Sequence, residues 1–120
     1  MGNKIRVGLI SVVWISSIGV VIYYSLVPRV EFPVDFWQAD KLYHFISYSW
    51  LSALPMVAYS DRKISLTASL SMILLGVLLE ILQMFVPGRT FSVADIMMNT
   101  LGVVLGIYSG GYLRRFETID

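Results

Sequence analysis

Long uncharged stretches constrain this chain more than any other feature. Between its clusters of charge lie residues 7–27, 42–59, 64–86 and 96–113. The first and last contain no charged side chain, the second only the titratable His44, and the third only Glu80. A helix that crosses a bilayer needs about 20 apolar residues, and about 17 at the short end. The pattern therefore predicts an all-α fold, an integral membrane four-helix bundle forming a single domain over residues 1–120. Composition agrees, since 57% of the 120 residues are apolar and only 14% are charged, where soluble domains carry about 25% charged. A disordered chain, a basic nucleic-acid binder and most water-soluble folds are excluded. With no cysteine, so are a disulfide framework, an iron–sulfur cluster and a Cys-ligated zinc site.

Lys4 and Arg6 before an apolar run also suit a signal peptide. Signal cores are about 7–15 residues long, shorter than 7–27, so a retained helix is expected. Lys4, Arg6, Arg62, Lys63, Arg114 and Arg115 fall on one side of the bundle, and Arg29, Lys41 and Arg89 on the other. The positive-inside rule then places both termini and the 60–63 turn in the cytoplasm, and the 28–41 and 87–95 connections outside. Phe32, Phe36, Trp37, Tyr23 and Tyr24 are expected to form an interfacial aromatic belt, and Pro55 to kink the second helix.

The polar residues within the spans gather toward the outer ends. Asp40 and His44 are four apart, Glu80 and Gln83 three apart, Asp95 and Asn99 four apart, and Arg89 lies between the last two helices. At about 100° per residue, Ser65, Ser69, Met72, Gly76, Glu80 and Gln83 share one stripe. Asp95, Asn99, Gly102 and Gly106 share another, and Asp40, His44, Ser47 and Leu51 a third. An ionisable group in lipid costs about 2.5–3.5 kcal/mol on insertion scales unless it meets a partner or water. The three stripes are therefore expected to face one another, with His44 or Arg89 as partner to Glu80, or with Glu80 protonated. Taken singly, Asp40 reads as a helix cap, Ser92-x-x-Asp95 as a helix start, and Asn99 as an interhelical staple. The ladder Gly102, Gly106, Gly110 reads as close helix packing, and the glycine faces also leave room for a homo-oligomer.

At these residues the chain resembles the VanZ-like membrane proteins, whose founding member is associated with resistance to the glycopeptide teicoplanin. The resemblance runs through Ser25-Leu26-Val27-Pro28, Asp40-Lys41-Leu42-Tyr43-His44, Glu80-Ile81-Leu82-Gln83, Pro87-Gly88-Arg89-Thr90 and Asp95-Ile96-Met97-Met98-Asn99-Thr100-Leu101-Gly102. It implies a multi-pass protein of the bacterial plasma membrane.

Two main functions fit these residues. In the first, Asp40, His44, Glu80, Gln83, Arg89, Asp95 and Asn99 line an outward pocket that binds, or alters the display of, a cell-wall precursor or lipid component. Arg89 would anchor a phosphate or carboxylate, and teicoplanin susceptibility would fall. In the second, an intramembrane enzyme acts on a lipid-linked substrate with His44 and Glu80 as acid and base and Asp95 orienting one of them. A third and weaker reading is a proton-coupled transporter carrying its proton on Glu80. A metal on His44, Glu80 and a further carboxylate would be a hard or borderline ion. The chain has no His-Glu-x-x-His helix and a single histidine, so neither a metal nor a cofactor is assigned.

Overall fold

The computed structural model describes residues 2–27, 37–89 and 91–119, and side chains within residues 3–27, 41–89 and 91–115. Four helices run α1 (Gly2–Leu26), α2 (Trp37–Ala58), α3 (Arg62–Gln83) and α4 (Val93–Ile119). There is no strand among the described residues, and the all-α four-helix reading stands. The helices alternate up and down. One pole holds the start of α1, the end of α2, the start of α3 and the end of α4. Asp40 lies inside the first turn of α2 rather than before it, and its side chain is outside the described residues, as are Phe32 and Phe36.

Among the described residues three helices are long and apolar enough to cross a membrane, over Asn3–Leu26, Arg62–Gln83 and Val93–Arg115. α2 is not among them, although the sequence suggested a span over 42–59. It carries Lys41, His44, three serines and Pro55 between residues 41 and 55. Those groups are accommodated because α2 is the central helix and packs on α1, α3 and α4. Tyr48, Leu51, Ser52, Pro55, Met56 and Ala58 are all buried.

The closest helix pair is α2 and α4, and glycine explains it. A Cβ at Gly102 would strike the Phe45 carbonyl oxygen, one at Gly106 the Ser49 carbonyl and the Ser52 hydroxyl, and one at Gly110 would lie 2.6 Å from the Ala53 carbonyl oxygen. Bare backbone therefore meets bare backbone along three turns. In lipid, where apolar side chains gain little by leaving the solvent, such close packing is a main source of helix association. This ladder is filled by α2 of the same chain. Around it Tyr48, Leu51, Met72 and Val103 form the core, flanked by Trp14, Ile18, Val21 and Ile107.

Breaks in backbone pairing are repaired locally. Pro55 has no N–H to give the Leu51 carbonyl. The Trp14 indole N–H donates to that oxygen instead, at 2.8 Å, and α2 continues through the proline to Ala58. At the turn into α3, Asp61 caps the helix by accepting from the N–H groups of Lys63 and Ile64. The carbonyls at the end of α2 receive guanidinium groups, Arg6 on Val57 and Arg114 on Met56 and Tyr59. Cations suit a helix C-terminus because its unpaired carbonyls carry partial negative charge.

Candidate polar site at the α2–α4 helix ends

At the opposite pole α3 ends at Gln83, three residues before the apolar run ends. The N–H groups of Met84, Phe85 and Val86 each reach back three residues at 3.1 Å, the tighter pattern that commonly closes a helix. Val86, Pro87, Gly88 and Arg89 then form a turn closed by Arg89 N–H to the Val86 carbonyl at 3.1 Å. Gly88 takes a φ of 78°, a conformation that side chains disfavour. Ser92 caps α4, its Oγ accepting from Asp95 N–H at 3.3 Å, which explains why the helix starts at Val93, earlier than the apolar run.

These local structures bring the polar stripes together. The stripe on α3 is buried as the spacing requires: Ser65, Ser69, Met72, Gly76, Glu80 and Gln83, with Leu79 beside it. Asp95 and Asn99 are buried on α4. From α2, Lys41 forms an ion pair with Asp95 and also donates to the Ser92 hydroxyl at 3.4 Å. His44 Nδ1–H donates to Asn99 Oδ1 at 2.9 Å, while its Nε2 lies 3.7 Å from Asp95 Oδ2. The imidazole is thus held between an amide and a carboxylate. Glu80 Oε1 accepts the Ser92 backbone N–H at 2.8 Å. That hydrogen bond comes from a main-chain donor. Tyr48 closes the floor, since a Cβ at Gly76 would lie 3.1 Å from both the Tyr48 ring and Asn99 Nδ2.

His44, Glu80, Asp95 and Asn99 are therefore members of one bonded cluster. Gln83 and Arg89 are turned away from it, toward the end of α1. Gln83 Nε2 donates to the Ser25 carbonyl at 3.0 Å. Arg89 donates through Nε to the Val27 carbonyl at 3.1 Å and through Nη2 to the Tyr24 carbonyl at 2.6 Å. That is a helix cap, like those of Arg6 and Arg114. Lys41 and Ser92 are the members that residue spacing did not single out as site residues. Lys41 stands beside Asp40 in the motif, and Ser92 was visible only as a helix start. A loop serine and a lysine at a span boundary ordinarily look solvated, and only the tertiary structure sets both beside Asp95.

The cluster is dense. Among the described residues every buried side-chain nitrogen and oxygen has a hydrogen-bond partner, and no group of three His, Cys, Asp or Glu could hold a metal ion. The side chains of Lys41, His44 and Asp95 keep 12%, 15% and 9% of their surface open. A ligand would therefore meet the rim of the cluster. Chemically, the arrangement offers an ammonium, an imidazole and two carboxylates within about two turns of the helix ends.

A family model described as VanZ/LLP1 matches residues 3–113. No curated protein and no solved structure matches the chain.

Proposed function

The chain belongs to the VanZ/LLP1 family, and from that premise we propose that it is a bacterial envelope membrane protein whose Lys41–His44–Asp95–Asn99 cluster engages the polar head of a lipid or lipid-linked cell-wall component. The family supports an envelope or resistance-related role, and three apolar helices support residence in a membrane. The finer reading rests on one observation. Polar side chains from α2, α3 and α4 are interlocked within about two turns of the helix ends, yet Lys41 and His44 remain partly open. Burying acids and bases in this way is costly in lipid, and such groups mark functional sites. With the 59–62 pole in the cytoplasm by the positive-inside rule, the cluster faces outward, toward cell-wall precursors. Lys41 and His44 contact the ligand, Asp95 and Asn99 orient them, and Glu80 holds the Ser92 end of α4 in place. Engagement of the component alters its display and lowers susceptibility to teicoplanin-type glycopeptides.

Binding of lipid-linked wall precursors to the purified protein, alongside teicoplanin susceptibility of producing cells, tests this reading. Lys41→Ala, His44→Ala and Asp95→Asn, where folded, should weaken binding and restore susceptibility. Folded variants that keep both properties would remove the site.

The His44 geometry favours a second reading, an enzyme acting on a lipid-linked envelope substrate. An imidazole set by Asn99, with its second nitrogen toward Asp95, suits proton transfer, and Glu80 is a further acid or base. Mass spectrometry of the precursor after incubation separates the two. A changed mass that His44→Ala abolishes means catalysis, and an unchanged mass with retained binding means recognition alone.

A further inference from the structure

The pole opposite the cluster carries six cations, and the structure divides their work. Arg6 and Arg114 are directed at the α2 carbonyls. Lys4, Arg62, Lys63 and Arg115 are exposed. Beside one of them Lys63, Ile64, Thr67, Ala68 and Ser71 line a shallow, wide-open depression along the outer face of α3. These positions follow one helical face, 63 at the pole and 71 about 12 Å deeper at helical rise. Thr67, Ala68 and Ser71 are small, and the Ser71 hydroxyl is turned back onto the Ala68 carbonyl at 2.6 Å. The surface is thus cationic at its mouth and largely apolar along its length. α3 is long and apolar enough to cross a membrane, which sets Lys63 near headgroup depth and the notch beside acyl chains.

We propose that this face of α3 seats one anionic phospholipid, with its phosphate at Lys63 and an acyl chain along Thr67, Ala68 and Ser71. Charge complementarity selects the class. The Asp61 carboxylate already occupies the first N–H groups of α3, so the helix end alone is a poor phosphate site and the ammonium of Lys63 supplies the attraction. A zwitterionic headgroup would bring a second cation toward Arg62 and Lys63 and gain less. The seat lies at the other end of the bundle from the polar cluster and is independent of the ligand proposed there.

Native mass spectrometry of the full chain, titrated with phosphatidylglycerol or phosphatidylcholine in neutral detergent, tests the proposal. One phosphatidylglycerol should be retained in preference to phosphatidylcholine. Lys63→Gln should weaken that retention about five-fold, the worth of one lysine at an anionic surface, whereas Lys4→Gln on α1 should change it less than about two-fold. Ala68→Leu, which fills the notch without touching charge, should abolish the preference, and Ser71→Leu repeats the test if the first variant does not fold. Equal retention of the two lipids would overturn the proposal. So would equal losses from Lys4→Gln and Lys63→Gln, which would mean diffuse attraction, or retention in a folded notch-filling variant that matches the parent protein.

Discussion

The two poles of the bundle solve the same problem in different ways. At the 59–62 pole, the carbonyls that end α2 are met by Arg6 and Arg114, and Asp61 meets the N–H groups that begin α3. Arg6, Arg114 and Asp61 all serve backbone there. At the opposite pole Arg89 and Gln83 cap α1 in the same manner, but a second layer is added. Lys41 pairs with Asp95, His44 bonds Asn99, and Glu80 holds Ser92. A cap needs only a donor of sufficient reach, so it tolerates substitution. A side-chain network leaves a buried partner stranded when any member is removed. The interlocked side chains Lys41, His44, Asp95 and Asn99 gather at this pole, and that is where the functional reading belongs.

The largest expected effect follows from this contrast. Asp95→Ala takes the carboxylate from beside the largely buried Lys41 ammonium and should cost about 3–5 kcal/mol, read from reversible unfolding in mixed micelles. A smaller loss than that from Arg114→Ala would erase the distinction between network and cap. Next is Gly106→Ala, midway between the poles, where the new methyl meets α2 backbone and should cost about 1–3 kcal/mol in the same measurement. A neutral result would mean that α2 and α4 can separate without loss. Arg114→Ala leaves the Met56 and Tyr59 carbonyls without this donor and should cost about 1–2 kcal/mol, with Arg114→Lys recovering part of it. An alanine variant as stable as the parent would show that water replaces the cap.

The smallest effect tests the repair at Pro55. Trp14→Phe removes the donor to the Leu51 carbonyl and should cost about 0.6 kcal/mol, the average worth of a hydrogen bond between membrane helices. In a Pro55→Ala background the backbone N–H returns to that carbonyl, so the cost of Trp14→Phe should shrink. An unchanged cost in the double-mutant cycle would show that Trp14 matters only as packing.

Much of this was legible in residue order. Runs without charge announced helices because lipid admits few other backbones. The stripe from Ser65 to Gln83 was legible because period 3.6 places those residues on one face, and polar groups in a membrane segment turn away from lipid. The fate of Arg89 was not legible. Spacing sets it between two helices, beside acids that it could have paired with, and the turn at Gly88 instead delivers it to carbonyls that the sequence does not reveal as unpaired. The place of α2 was hidden for a related reason. Its modest hydropathy reads the same whether the helix is central or peripheral, and only its extensive packing on α4, with further contact to α1 and α3, separates the two.

What residue order determined by itself is periodicity: which segments are helical, which face of each is polar, and that glycine recurs where a second backbone can approach. The tertiary structure decided the pairings, namely Lys41 with Asp95, His44 with Asn99, Glu80 with the Ser92 main chain, and arginine with helix ends. The physical reason is that a helix face is set by rotation within one segment, whereas a hydrogen bond depends on distances of about 3 Å between segments, fixed only when the connecting turns and the α2–α4 contact are in place.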